Sequence, residues 1–380
     1  MSPSRQRRAQ SKAGPGSRGA MKGLPFAPPL EPMLAKLTDA LPQAEPFLYE
    51  PKWDGFRALV FRGDDDVFIQ SRDKKPLDRY FPELHALFLE RLPEGCVLDG
   101  EIVIAGADGL DFDALQLRLH PAESRVEKLA RETPAAFVAF DLLACGGRSL
   151  LSTPQAERRS ALERLLADAG PPLYLTPMTR DRAVAAEWLE QFEGAGLDGV
   201  VAKHAYLTYE PGKRAMLKIK HVRTADCVVA GFRWYRDTRD AVGSLLLGLY
   251  DEHDVLHHVG VTSSFKMSMR KALVHELAPL RENALERHPW RDWASSDGTA
   301  RMPGASSRWS AGKDLSWEPL RIERVCEVKY DHLQGDRFRH AAVFLRWRPD
   351  KPPRLCRYDQ LDVTAPYALE QVLRASGRRR

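Results

Sequence analysis

The chain has 380 residues, 43% hydrophobic and 29% charged; this fits a soluble globular protein with two domains, each large enough to bury its own core. No run of about 18 apolar residues occurs, which excludes a membrane-spanning helix, and the basic N-terminus lacks the apolar stretch of a secretory signal. Residues 1–22 hold Arg5, Arg7, Arg8, Lys12, Arg18 and Lys22 and no acid, more than the formal net charge of +5, so the remainder is near neutral and any nucleic-acid surface must be a local patch.

Residues 1–23 read as a disordered basic tail. Two readings of it stand: an arm that strengthens binding to phosphates, or a dispensable extension, with Met21 as an alternative start of translation. Residues 24–46 are proline-rich and read as an extended entry segment. From 47 to 220, short β-like runs alternate with helical spacing. Residues 58–61 and 67–70 predict a hairpin closed by the turn at 63–66, in which Asp64, Asp65 and Asp66 are an exposed acidic tip rather than a metal site. Residues 81–91 have helical spacing, 97–104 and 137–142 read as strands, and 154–169 and 182–194 as amphipathic helices. Residues 199–203 and 216–219 are strand-like again. This mixture predicts an α+β domain built on antiparallel sheets over 24–220.

After Lys220 the texture changes. Strands are expected at 226–233, 244–250 and 255–261, a helix near 267–280, a Trp- and polar-rich region from Trp290 to Trp317, and strands at 324–330 and 342–347. This pattern over 221–365 predicts a small closed barrel such as an OB-fold, followed by a C-terminal tail over 366–380. Cys96, Cys145, Cys227, Cys326 and Cys356 contain no C-x-x-C pair, which argues against a zinc ribbon. Their odd number and wide spacing fit reduced thiols in a cytoplasm, mostly as core filler. His257 and His258 alternate across a strand and do not face one ion together. Gly312-Lys313 lacks the spacing of a P-loop.

The stretch richest in chemistry is Tyr49-Glu50-Pro51-Lys52-Trp53-Asp54-Gly55-Phe56-Arg57. A lysine is a nucleophile only when its amine is unprotonated, so one set beside a carboxylate, a glycine and a fixed cation points to covalent catalysis. Alone, K-x-D-G describes a surface turn as well. Downstream come Ser71-Arg72-Asp73, Leu98-Asp99-Gly100-Glu101-Ile102, Val138-Ala139-Phe140-Asp141-Leu142 and Leu197-Asp198-Gly199-Val200-Val201-Ala202-Lys203. Then follow Tyr209-Glu210-Pro211-Gly212-Lys213-Arg214, Leu217-Lys218-Ile219-Lys220 and Phe344-Leu345-Arg346-Trp347-Arg348-Pro349-Asp350-Lys351. Taken in order over residues 50–351, these blocks resemble the motifs of the covalent nucleotidyltransferases, the superfamily of DNA ligases, RNA ligases and mRNA capping enzymes. The text around Lys52 and Asp198 is most similar to the bacterial ligase C group of ATP-dependent DNA ligases.

The resemblance implies a nucleotidyltransferase domain with ATP-grasp-like antiparallel sheets and helices, then an OB-fold barrel. It implies a reaction in which Lys52 takes AMP from ATP, AMP passes to the 5′-phosphate at a nick, and the 3′-hydroxyl displaces it. Positioning and charge stabilisation then carry the catalysis. In that scheme Lys218 and Lys220 favour the unprotonated amine of Lys52 and hold the α-phosphate. Glu101 fixes the ribose and helps place a metal, and Asp198 holds Mg²⁺ (or Mn²⁺), which suits few carboxylates plus phosphate oxygens. Asp198 departs from the family, which usually has glutamate there; being one methylene shorter, it is expected to reach the metal through water. Phe140 offers a face to adenine, and Glu50 accepts from the base's amino group or orients its strand. Arg57 and Arg72 suit bidentate contacts to the nucleotide and the nick's 5′-phosphate, and Arg214 is a further candidate for the ATP phosphates. Arg346, Arg348 and Lys351 reach the β- and γ-phosphates if the barrel closes over the cleft.

The implied protein is a compact ligase without a large N-terminal DNA-binding domain or a fused nuclease or polymerase. It is a cytoplasmic, nucleoid-associated monomer that seals nicked double-stranded DNA in repair, with DNA-repair proteins as candidate partners and no membrane. One rival is an RNA ligase or capping-type nucleotidyltransferase, told apart by whether ATP or GTP labels the protein. Another is a non-catalytic OB-fold single-strand binder, which predicts no covalent adduct.

Overall fold

The structure, a computed structural model, describes residues 21–43, 46–107, 109–220, 223–236, 238–294, 316–331, 333–361 and 367–374. Residues 1–20 of the expected tail and Gly312-Lys313 lie outside these residues; residues 21–23, read as the end of that disordered tail, instead pack on the 63–66 turn, where Asp64 N donates to Lys22 O at 3.0 Å, and Met21 packs against a core containing Leu59 and Phe61. The chain divides into two compact units, Met1–Lys220 with Ala365–Arg380, and His221–Thr364.

In the first unit the main strands are β1 (Ala35–Thr38), β2 (Phe47–Pro51), β3 (Phe56–Arg62), β4 (Val67–Ser71), β5 (Cys96–Val103), β6 (Ala136–Cys145), β7 (Leu173–Leu175), β8 (Val200–His204) and β9 (Met216–Ile219). They form two sheets, ordered β1-β9-β8-β2 and β7-β6-β5-β3-β4. The second sheet is covered on both faces. Ala58 and Val60 point into a core with Leu84, Phe88 and Phe137, while Leu59 and Phe61 point into another with Met33 and Val97. That is why β3 reads as a continuous apolar run instead of alternating.

Two strand pairs are parallel, β1 with β9 and β7 with β6, where the sequence predicts antiparallel sheets. Both pairs are joined by long connections, the second containing the helix Gln155–Leu165, as parallel pairing requires. The proline-rich entry segment supplies β1. The helices Phe112–Leu117 and Glu123–Glu132 carry no clear signal in the sequence; the latter buries Val126 alone, so its core-facing side is too narrow to read. The expected tail over 366–380 is corrected in part. Leu369–Arg374 is a helix whose Leu369 and Val372 share a core with Trp188 and Phe192 of the first unit. Tyr367 N donates to Gly194 O at 3.1 Å. A stripe of two apolar residues three apart is too short to stand out from a tail.

The second unit contains β10 (Arg223–Trp234), β11 (Val242–Tyr250), β12 (Leu256–Thr262), β13 (Val325–Tyr330) and β14 (Val343–Trp347), ordered β12-β11-β10-β13-β14 and antiparallel throughout. Ala342 N donates to Val261 O at 2.8 Å, and the Thr262–Ala342 bridge returns the β14 edge to β12, closing the barrel. The helix Met267–Arg281 turns Leu273, Leu277 and Leu280 into the barrel core. All the cysteines are free. Cys227 and Cys326 face each other across β10 and β13, and burial pushes both thiols well up, which leaves them inert in the core. Among the described residues, no helix is long and apolar enough to cross a membrane.

Candidate active site

Lys52 follows β2 directly and continues its pairing with β8. Lys52 N donates to Gly199 O at 2.8 Å, and Asp198 N donates to Lys52 O at 2.9 Å. This reciprocal pairing fixes the lysine beside Asp198. Gly199 has φ +127°, and a Cβ there would lie 2.1 Å from Ile219 O, so only glycine lets the Asp198 turn approach β9 this closely.

Lys52 Nζ donates to Asp198 Oδ2, and Lys220 Nζ lies 2.8 Å from the same oxygen. Strand alternation puts Lys218 on the same side of β9 as Lys220. Burial, with Lys52 and Lys220 close by, pushes the Lys218 ammonium below the usual lysine range, and exposed Arg72 adds to that field. Burial works against ionisation of Asp198, but Lys52 and Lys220 outweigh it and hold the carboxyl below its usual range.

Glu101 stands on the other side of the lysine loop. Gly55 N donates to Glu101 Oε1 at 3.2 Å, and a Cβ on Gly55 would lie 2.2 Å from Ile102 O. The Asp54-Gly55 pair therefore lets the loop rest against β5. Burial pushes the Glu101 carboxyl up to about 7, against the pull of Lys52 and Arg57. Arg57, opposite Glu101 in the β3–β5 register, is anchored from behind. Its Nε and Nη2 reach Asp99 at 2.9 and 2.6 Å, and Tyr209 Oη donates to the same fully buried carboxylate at 2.7 Å. Tyr209 Oη in turn accepts from Met33 N at 3.0 Å. The motifs quote Asp99 and Tyr209 but give them no task, because their partners lie far away in the chain. Tyr209→Phe keeps the ring but leaves Asp99 short of a donor and the Met33 N–H without its acceptor. The expected cost is about 1–3 kcal/mol of stability, read by urea unfolding, with slower reaction at the Arg57 end of the site.

The adenine-facing candidate depends on a bulge. Asp99 pairs with Asp141 and Gly100 with Ala139, so Phe140 is the extra residue of β6. A bulge re-aims a side chain, and half-buried Phe140 sits between two buried neighbours. Arg57 Cζ is 5.2 Å and Lys203 Nζ 4.8 Å from its ring centroid. Lys203, 2% exposed, donates to Phe140 O at 2.9 Å and lies 2.7 Å from Glu50 Oε2. Arg159 Nη1 is 3.5 Å from Glu50 Oε1, and neither of these buried atoms has a hydrogen-bond partner among the described residues. Glu50 thus carries an acceptor without a donor beside the candidate base platform. Lys203, which the sequence reading leaves without a role, ties the two together.

Of the remaining candidates, exposed Arg214 turns to Ala35 O at 3.4 Å. Arg346, Arg348 and Lys351 lie in the second unit. Arg346 Nε meets Glu327 at 2.6 Å, Arg348 Nη1 lies 2.9 Å from both Asp226 oxygens, and Lys351 Nζ is 2.9 Å from Asp226 Oδ2.

The family model for the ATP dependent DNA ligase domain matches residues 32–220, and that for the ATP dependent DNA ligase C terminal region matches 238–351. The chain belongs to the ATP-dependent DNA ligases. It is 55% identical over 343 residues to DNA ligase C2 of Mycolicibacterium smegmatis, spanning 89% of this chain and 96% of that protein. It is 52% identical over 356 residues to DNA ligase C of Mycobacterium tuberculosis, spanning 92% and 98%. Among solved structures, a chain from a structure–function study of Lig E DNA ligases matches with a TM-score of 0.52 at 18% identity, covering 83% of this chain and 99% of that one, a likeness of fold. The ligase is therefore an enzyme that uses ATP and acts on DNA, built as a nucleotidyltransferase unit and an OB-fold unit, and the non-catalytic reading falls.

The acidic groups of the ligase also bear on the metal that the resemblance implies. Among the described residues, no three His, Cys, Asp or Glu side chains gather into a ready-made cage. Asp198 and Glu101 both lie in the field of Lys52. Two carboxylates without a closed shell fit Mg²⁺, which binds one or two carboxylates and takes its other ligands from phosphate and water.

Proposed function

We propose that Lys52 is the nucleophile of this ligase and that nicked double-stranded DNA is sealed through lysyl-AMP and DNA-adenylate. The observation that carries this is the meeting of Lys52 and Lys220 on one carboxylate, Asp198, with Lys218 on the same face of β9. Asp198 orients the amine. Lys52 Nζ then bonds to the α-phosphorus while the bond to the bridging oxygen breaks and pyrophosphate leaves with the electron pair. Attack by the 5′-phosphate of the nick breaks the phosphorus–nitrogen bond and forms DNA-adenylate. The 3′-hydroxyl finally forms the phosphodiester and releases AMP. Lys218 and Lys220 stabilise the charge that grows on the α-phosphate. Asp198 and Glu101 would hold Mg²⁺ or Mn²⁺, which neutralises phosphate charge when bound.

Phe140 stacks on the base, Glu50 Oε1 accepts its amino group, and Arg57 and Arg72 contact the nucleotide and the nick's 5′-phosphate. In the barrel, Arg346, Arg348 and Lys351 serve the β- and γ-phosphates. Lys203→Met removes the cation nearest Glu50 and the donor to Phe140 O. The expected result is a rise of roughly tenfold in KM for ATP with a smaller fall in kcat, partly restored in Lys203→Arg, as read by pyrophosphate release. The working unit proposed from the resemblance is a monomer. A cytoplasmic, nucleoid-associated place and a role in repair follow from the resemblance to the ligase C group.

The deciding experiment is intact mass after mixing with ATP and magnesium, followed by addition of a nicked duplex. The expected results are an added mass of one AMP on Lys52 and a sealed strand. An adduct formed with GTP instead, an adduct on another residue, or none at all, overturns the proposal.

A further inference from the structure

We propose that Asp226 is a positioning residue for the first chemical step, holding Arg348 and Lys351 in the array that meets the pyrophosphate end of ATP. This rests on the reading above, in which the barrel's cations serve the β- and γ-phosphates, and it narrows the part of Arg348 to fixing the segment that carries the other two.

Asp226 lies on β10 with a side chain only 12% exposed. Arg348 and Lys351, 122 and 125 residues further on, both reach its carboxylate at 2.9 Å. Arg348 is also gripped from its other side, with Nε and Nη2 at 3.0 and 2.8 Å from Asp350. All three guanidinium nitrogens of Arg348 therefore have carboxylate partners. That is the bonding of an internal strut rather than of a fork waiting for phosphate. Among the described residues, Arg346, 61% exposed, spends only its Nε, on Glu327, and Lys351 has three donors. These two are left to touch ATP, with Arg348 fixing the segment that carries them.

Two further features make Asp226 an anchor. Gln360 holds its peptide on both sides, with Asp226 N donating to Gln360 Oε1 at 2.8 Å and Gln360 Nε2 donating to Asp226 O at 3.1 Å. Asp226 is also directly opposite Glu327 in the β10–β13 register. Facing acids on adjacent strands repel, and the cost is offset only while cations sit on both. The strand pairing thus builds a two-carboxylate rack for Arg346, Arg348 and Lys351. Ordering long cationic side chains before ATP arrives removes an entropic cost from the step.

The test separates two half-reactions on full-length protein: single-turnover formation of lysyl-AMP from ATP, and sealing of a duplex whose nick already carries a 5′-adenylate. The second involves no pyrophosphate. Asp226→Asn keeps the shape and the Gln360 hydrogen bonds but removes the charge. It is expected to slow lysyl-AMP formation roughly tenfold to a hundredfold while sealing of the adenylated nick stays near wild type. Arg348→Ala should slow the same step, and the double variant should lose no more than the worse single one, because the two residues act as a unit. Gln360→Ala, which changes no charge, should give a smaller loss confined to the same step, and it decides the matter should Asp226→Asn not fold. Equal losses in both half-reactions, unchanged or faster lysyl-AMP formation, or losses that multiply in the double variant would overturn the proposal. Wild-type protein that forms no lysyl-AMP would instead sink the reading of Lys52 on which it rests.

Discussion

Lys52→Ala protein is expected to lose lysyl-AMP formation by roughly four orders of magnitude or more, the scale set by deleting a covalent nucleophile. Its fold should survive. Lys52 is partly exposed, and its loss leaves Asp198 paired with Lys220 at 2.8 Å, so the stability change should stay within about 1 kcal/mol. Lys52→Arg is the sharper variant. It keeps a cation on Asp198, yet a guanidinium stays protonated at any working pH and has no amine to offer phosphorus. Both variants should fail alike in mass measurements with ATP while melting near wild type. An Arg variant that still gains the mass of AMP would show that the bond forms elsewhere.

Gly199→Ala is expected to damage stability and chemistry together. The residue sits at φ +127°, and the added Cβ would press on the Ile219 carbonyl at 2.1 Å. A strained backbone at this position costs about 1–3 kcal/mol, and the clash with a backbone atom adds to it, for a total of roughly 2–4 kcal/mol. The strain falls between Asp198 and β9, so it shifts Asp198 and Lys52 relative to Lys218 and Lys220. Adenylation should drop at least about tenfold even at temperatures where the variant is fully folded. Gly170→Ala is the control. A Cβ there meets nothing within 4 Å, so neither melting nor adenylation should move. Gly199→Ala with wild-type unfolding and wild-type adenylation would show that the turn relaxes freely.

The Lys52 site shows how far reading from residues extends. Lys52, Asp198, Lys218 and Lys220 stand in short blocks whose spacing already puts two lysines on one face of β9 and a D-G turn beside the nucleophile. The structure brings Lys52 and Lys220 onto the Asp198 carboxylate, with Lys218 in the same field. Asp99, Tyr209 and Lys203 stand in the same blocks, yet nothing in their spacing assigns them work. Asp99 is 42 residues from Arg57 and 110 from Tyr209, and Lys203 is 63 from Phe140. The aim of Phe140 is hidden for another reason. It is the surplus residue of a bulge, and strand alternation does not say where such a side chain points.

What the sequence alone determined is local: the apolar runs of both units, the order of the motifs, the chemical type of each functional side chain, and the glycines that permit close approach. Backbone geometry and side-chain period act over a few residues, so a few residues suffice to state them. What only the tertiary structure decided is which charges neutralise one another: Arg57 on Asp99, Lys203 on Glu50, Arg348 and Lys351 on Asp226. A charge taken out of water must find a partner wherever the fold brings one, and that partner is chosen by sheet register and burial rather than by position in the chain. The parallel pairing of β1 with β9 and the docking of the C-terminal helix on the first unit have the same origin, since both join segments that only the folded chain makes neighbours.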